Sequence, residues 1–189
     1  MKLEPPFTGE KIRALKLRDT VEISGVLFTG RDAVHKYLHE GGALPGDVQL
    51  RDGILYHCGP VVLKEKGGWK VTAAGPTTSI REEPYQHEII RKFGIRGVIG
   101  KGGMGDQTLA ACRDHGCVYL HAVGGAAQVL ADCVKEVLGV YMMDEFGAPE
   151  AIWKFRVENF PAVVTIDAHG NSLHKEIFAR SQAELQKHL

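Results

Sequence analysis

GVIGKGGMGDQTLAACRDHGCVYLHA (residues 97–122) carries the decisive rhythm of this chain. Gly97 to Gly100 is a short apolar run of strand type, Asp106 to His115 has helical composition, and Cys117 to Ala122 is a second strand-like run. Strand, helix and strand joined by short connections imply a parallel βαβ unit. Gln128 to Val137 is expected to follow as a further helix closed by Gly139.

Upstream, Thr20 to Thr29 is rich in β-branched and apolar residues and reads as a strand turning at Gly30. Arg31 to His39 then reads as a helix, with Asp32 at the positive end of its dipole and Gly41-Gly42 as its stop. Short strands are expected at Ile54 to Cys58 and Val61 to Lys66, the second joined to Trp69–Ala74 as a hairpin through Gly67-Gly68. Thr78 to Phe93 is helix-like up to Gly94, with Pro84 confining its regular part. Downstream, Trp153–Val157 and Ala162–Asp167 read as strands, Ala168 to Asn171 as a turn, and Ser181 to His188 as a closing helix. The expected architecture is α/β, one compact domain over residues 1–189, in which an antiparallel front part and the βαβ core share one mixed sheet system.

A chain of 189 residues, 44% hydrophobic, can bury a core without disulfides or metals. Lys plus Arg and Asp plus Glu balance at 23 each, so no global field favours nucleic acid or an anionic membrane, and any anion site must be local. No apolar run approaches the roughly 20 residues that span a bilayer. Met1 to Lys11 lacks the apolar stretch of a signal peptide, and a cytoplasmic location is expected. The four scattered cysteines suit reduced thiols better than a disulfide framework.

Three segments place small residues beside a cation at an expected helix start: Gly30-Arg31-Asp32, Gly75 to Arg81, and Lys101-Gly102-Gly103. Unpaired backbone N–H groups at helix starts favour carboxylates and phosphates, so together these turns suggest one anion pocket. The second segment adds the hydroxyls of Thr77 and Thr78, which helix capping would equally explain. Gly100 to Gly105 formally matches the dinucleotide fingerprint, yet Val123-Gly124-Gly125 stands where its ribose-binding acid is expected. Cys112 and Cys117 have the first interval of a plant-type ferredoxin cluster, but Leu120 occupies the next ligand position. His35 and His39 lie one helical turn apart without the Glu of a zinc-protease motif, and Asp167-Ala168-His169 has no nucleophile elbow to complete a triad.

Taken in order, GRDAVH at residues 30–35, GPTTSIR at 75–81 and KGGM at 101–104 resemble the class I fumarases, specifically their C-terminal β domain, which also occurs as a separate β subunit in two-subunit fumarases and L-tartrate dehydratases. EFGAPEAIW (145–153) and VTIDAHGN (164–171) extend the resemblance over nearly the whole chain. One departure is that Arg81 is followed by Glu82-Glu83-Pro84 where the family usually has Met. The resemblance implies a swivelling β/α/β domain that completes an active site with an α subunit carrying a 4Fe-4S cluster, this chain itself binding no metal, in an assembly open to higher hetero-oligomers. The implied reaction is reversible hydration of fumarate to L-malate, with tartrate dehydration or non-catalytic anion binding as alternatives; an aconitase-type enzyme fits the motifs less well. Carried over onto this sequence, Arg31, Arg81 and Lys101 bind the dicarboxylate, and Thr77, with Lys101, serves the proton transfer. Gly75 and Thr78 shape the loop, while Asp32, His35, Gly102 and Gly103 support the substrate-contacting groups.

Overall fold

The run at Gly97–Gly100 does form a strand, and its alternation explains the layers around it. Val98 faces one hydrophobic cluster and Ile99 the other; Tyr119 likewise opposes Val118 and Leu120. A strand covered on both faces reads as a continuous apolar run, as parallel strands do.

The computed structural model describes residues 1–188. The strands are β1 (Lys2–Leu3), β2 (Thr20–Thr29), β3 (Ile54–Tyr56), β4 (Val61–Glu65), β5 (Gly68–Ala73), β6 (Gly97–Gly100), β7 (Val118–His121), β8 (Val134–Tyr141) and β9 (Ile152–Ile166). The helices are α1 (Gly9–Ala14), α2 (Asp32–His39), α3 (Glu83–Phe93), α4 (Asp106–His115), α5 (Ala127–Asp132), α6 (Met143–Phe146) and α7 (Leu173–Leu185), with a 3-10 turn at Ser79–Glu82. The main mixed sheet has seven strands in the order β1-β2-β3-β6-β7-β9-β8, and β2 also pairs with β9. Strands β2, β3, β6 and β7 are parallel neighbours, and β9 runs antiparallel to both β7 and β2, closing a ring. Tyr56, Trp153, Phe155 and Phe160 belong to one core cluster; Val34, Leu38, Ile89, Ile90 and Ala111 of α2, α3 and α4 join the cluster on the opposite face.

Several expectations need correction. The helix expected over Gln128–Val137 stops at Asp132, and Val134–Tyr141 is a strand instead. Its β-branched residues pair with β9, Val134 opposite Val157 and Val140 opposite Trp153, so long-range pairing overrides the local pattern. The two strands expected near the C-terminus are one 15-residue strand, β9. Its irregular middle contains Asn159 at φ 52° and Pro161 opposite Glu22. Pro161 is tolerated because β9 has left β8 at Val157 and meets β7 only from Val163, leaving that flank an edge.

The front hairpin forms, but β4 and β5 make a separate two-stranded sheet rather than joining the main one. Trp69 anchors it edge-on against Trp153, with ring centroids 5.3 Å apart. The helix expected from Thr78 begins as the 3-10 turn and becomes α-helical only at Glu83, with Pro84 in the first turn, where its missing N–H costs no bond. Helix α7 starts eight residues before the expected Ser181, at Leu173, because the Ser172 hydroxyl accepts a bond from the Lys175 amide and caps it. Among the described residues, no helix is long and apolar enough to cross a membrane.

Candidate functional site

Parallel β2, β3, β6 and β7 all end on the same side, where open α/β sheets gather their ligands. Beyond Tyr56 and Ile99 the threonine segment wedges into this end. The Thr77 amide donates to the His57 carbonyl at 2.6 Å, the Lys101 amide to the Thr77 carbonyl at 3.4 Å, and the Ser79 amide to the Lys101 carbonyl at 3.0 Å. Segments 76–79 and 101 therefore run as short rungs, Thr78 pairing with Lys101 and Pro76 with Cys58. The threonine loop enters from the small hairpin, not from a strand of the main sheet as its sequence position implies.

This arrangement brings Thr77, Thr78, Lys101, Gly75 and the Gly102-Gly103 turn together. The half-buried Lys101 side chain runs along Gly124, where a Cβ would stand 3.1 Å from Cδ. The ammonium of Lys101 has no carboxylate within 4.0 Å among the described residues, and the Thr77 hydroxyl has no hydrogen-bond partner among them. Thr78 precedes the 3-10 turn without capping it through its side chain, so its hydroxyl is not explained as a cap. Gly102 and Gly103 adopt φ of 80° and 82°, and a Cβ on Gly103 would strike the His174 ring at 2.7 Å.

Arg31 follows β2 and crosses Gly59, where a Cβ would lie 2.6 Å from its Nη1. Its Nη2 pairs with Glu150 Oε1 at 3.2 Å, while its buried Nε has no partner among the described residues. Arg81, more exposed, pairs with Asp32 Oδ2 at 2.5 Å. Asp32 thus orients Arg81 directly and lies 4.0 Å from Arg31 Nη2.

Two of the three helix starts already have a carboxylate on their amides. Glu83 fills the start of α4: its carboxylate accepts from Gly105 N (2.8 Å), Gln107 N (2.9 Å), Thr108 N (3.2 Å) and Thr108 Oγ1 (2.7 Å). Glu150 accepts from the Ala33 amide at the start of α2, at 3.0 Å. The 3-10 turn at Ser79–Glu82 has no side chain in this role among the described residues, whereas an anion at the start of α4 would meet the Glu83 cap. The same cap leaves no seat for a dinucleotide pyrophosphate at Gly100–Gly105, although strand, loop and helix follow in the right order.

The profile described as Fumarase C-terminus matches residues 1–177. The chain belongs to the fumarase C-terminal family. It is 58% identical over 186 residues to a Geobacillus stearothermophilus protein named "Putative fumarate hydratase class I", a match covering 98% of this chain and 35% of that protein. It is 41% identical over 176 residues to the Methanocaldococcus jannaschii "Putative L(+)-tartrate dehydratase subunit beta", covering 90% of this chain and 89% of the relative. A third relative is the L(+)-tartrate dehydratase subunit beta of Escherichia coli K12, 36% identical over 182 residues, again with 89% of the relative covered. This chain thus spans about a third of the first relative and most of the other two.

Beneath the loops of this fumarase C-terminal domain lies a buried polar chain that the sequence reading missed apart from His35. His35, His57, Ser79, Glu82 and Gln86 are fully buried. His35 Nδ1 lies 2.9 Å from the Arg31 carbonyl, both histidine Nε2 atoms lie within 2.9 Å of the Gln86 amide, and His57 Nδ1 lies 2.9 Å from Ser79 Oγ. The Tyr119 hydroxyl donates to the same Ser79 oxygen at 2.8 Å. Burial pushes His35 below its ordinary value and His57 down to about 3, so both rings are neutral at pH 7. Burial, then the nearby Asp32 and Glu150 charges, push Glu82 up to about 8. Glu82, Gln86 and Glu150 lie inside or beside quoted motifs, but only folding shows them converging.

The thiols present do not fit an iron–sulfur ligand set. Cys58, Cys112 and Cys117 are buried in the core, and burial pushes Cys58 up to about 12. Hydrogen bonding to Cys117, together with burial, also holds Cys112 well above the usual thiol range. Among the described residues, no group of three or more His, Cys, Asp or Glu side chains is placed to hold a metal ion. His39 pairs with Glu88 at 2.8 Å on the surface while His35 is buried, so the two share no ligand. Asp167 Oδ1 accepts from the His169 and Asn171 amides, which makes that segment the expected turn.

Proposed function

We propose that this chain is the β component of a hydro-lyase that interconverts fumarate and L-malate, completing its active site with a cluster-bearing α subunit. The observation that carries the reading is the pairing of Thr77 with Lys101. Two loops 24 positions apart in sequence are held as adjacent rungs, leaving a hydroxyl and an ammonium without partners among the described residues. Relatives named fumarate hydratase and tartrate dehydratase β support the reaction class.

In this reading Lys101 binds one substrate carboxylate through charge-assisted hydrogen bonds. Arg31 contributes its unpartnered Nε, and Arg81, steadied by Asp32, reaches the other end of the dicarboxylate. Gly75 and Thr78 set the loop, and the Gly102-Gly103 turn lets backbone approach closely. Thr77 exchanges the proton at the carbon beside the carboxylate. An alcohol is a weak base, so Thr77 must itself be relieved of its proton by a carboxylate of the partner subunit, with the Lys101 ammonium steadying the alkoxide that results. The 4Fe-4S cluster of this enzyme class would be held by the α subunit, in keeping with the buried thiols here, and would supply a Lewis acid for the substrate hydroxyl.

The test is a Thr77→Ala chain mixed with a cluster-loaded α subunit. A fall in kcat of at least about a hundredfold with KM little changed is expected. Full turnover by the variant would remove Thr77 from the mechanism and favour simple anion binding. A second reading, tartrate dehydration, is favoured by the relatives of comparable length, both named as tartrate dehydratase β subunits. A substrate panel decides between them: faster turnover of L-tartrate than L-malate would replace the first reading.

A further inference from the structure

His35 Nδ1 faces the Arg31 carbonyl, which can only accept, so this nitrogen carries the ring hydrogen. The ring is neutral because its full burial outweighs the charges of Asp32 and Glu150 farther off, and the one carboxyl within 4.0 Å of it among the described residues, Glu82 at 3.6 Å, is itself held protonated by burial. Its Nε2 is then a bare lone pair, 2.9 Å from the Oε1 position of Gln86. An amide oxygen there would set acceptor against acceptor. The two ends of a glutamine amide have nearly the same shape, so hydrogen-bond logic assigns them. The same position lies 2.8 Å from His57 Nε2, and the other end of the amide has no partner among the described residues.

We propose that Gln86 is a positioning residue of the site: its NH2 group sits between the two rings and donates to Nε2 of both His35 and His57. This fixes both as Nδ1–H tautomers and ties the Arg31 turn to the threonine loop. An NH2 group has two hydrogens, matching the two acceptors. The rings meet edge to face with centroids 4.9 Å apart, which suits convergence on one group. His35 then donates to the Arg31 carbonyl, and His57 Nδ1–H donates to Ser79 Oγ. Tyr119 supplies the second bond to that oxygen. The Ser79 and Tyr119 hydroxyls lie directly over Gly100, where a Cβ would stand 1.8 Å from Ser79 Oγ and 2.9 Å from the tyrosine oxygen. One glutamine thereby couples the Arg31 turn, the Thr77–Ser79 segment and the strand end that carries Lys101.

The inference rests on the proposed function only in taking these loops to hold substrate, and its test needs no turnover. Two-bond proton–nitrogen correlation spectra of the full chain at neutral pH read ring tautomers directly. The expected result is Nδ1–H on both His35 and His57; Nε2–H on either ring would overturn the assignment. In Gln86→Glu, whose carboxylate only accepts, both Nε2 atoms are expected to become protonated, and retained wild-type tautomers would contradict the donor role. In Gln86→Met, exchange of the Thr77 and Ser79 amides is expected to quicken about tenfold, because the tie between the loops is gone. Unchanged exchange would refute the coupling. A failed hydratase assay leaves these readouts intact, so the two failures are distinguishable.

Discussion

Glu83→Ala removes the carboxylate that joins α3 to the start of α4. It makes four hydrogen bonds, three to backbone amides and one to the Thr108 hydroxyl. Loss of an ordinary N-cap costs roughly 0.5–2 kcal/mol, and a charged, half-buried acceptor with several donors belongs at or above the top of that range. The expected loss is about 2–3 kcal/mol. For a chain of this size each kcal/mol lowers Tm by about 2–4 °C, so thermal unfolding followed by circular dichroism should shift down by about 5–10 °C. Glu83→Gln keeps one accepting oxygen and should lose about half as much. The damage should also be local: the Gly105, Gln107 and Thr108 amides should exchange with solvent faster, while those of β2 should not. A Tm within about 1 °C of wild type, with exchange unchanged, would refute the claim that Glu83 occupies this helix start.

Two further outcomes follow from the geometry. Glu82 is pushed up to about 8 from an ordinary 4.5, so its contribution to stability is fully present below pH 4.5 and is lost as pH rises through about 8. His57, pushed down to about 3 from 6.5, behaves oppositely, contributing above pH 6.5 and losing that contribution as pH falls through about 3. Urea midpoints should therefore decline above pH 6.5, and Glu82→Gln should flatten that alkaline limb while leaving the acid limb; an unaltered alkaline limb would count against a protonated Glu82. Lys101→Ala, mixed with the α subunit, should raise KM for fumarate roughly tenfold to a hundredfold, the value of one charged hydrogen-bonding partner, with the fold retained. An unchanged KM would remove Lys101 from substrate binding.

Much of the fold can be read locally. Strand β2 has the expected bounds, Thr20–Thr29, because its β-branched residues and Gly30 act over short range. Helix α4 likewise matches Asp106–His115, ended by the left-handed Gly116. What escapes the sequence depends on distant partners. Residues 133–137 are ambiguous alone, and β9 decides that Val134 onward is a strand. The hairpin's separation from the main sheet, and the ring closed by β2 and β9, leave no local mark.

The site divides in the same way. Arg31, Thr77, Arg81 and Lys101 stand in recognisable segments, and the fold places them at one sheet end. The expectation that helix-start amides would hold the anion misses at α4, where Glu83 takes three amides, and is narrowed at α2, where Glu150 takes that of Ala33. Glu83 lies 22 residues from Gly105, beyond any capping-box spacing, although it stands where the chain departs from the family pattern. Gln86, His57 and Ser79 look like ordinary helix, strand-end and loop residues until their buried contacts are known.

The central claim is that these loops form an incomplete carboxylate grip that a cluster-bearing subunit turns into a hydro-lyase. Its most direct test is anaerobic mixing of this chain with a cluster-loaded α subunit of the family, following fumarate consumption and L-malate formation. The account predicts no hydration by either component alone and saturable hydration by the mixture. Turnover by this chain by itself, or a mixture that associates yet leaves fumarate and tartrate untouched, would contradict it.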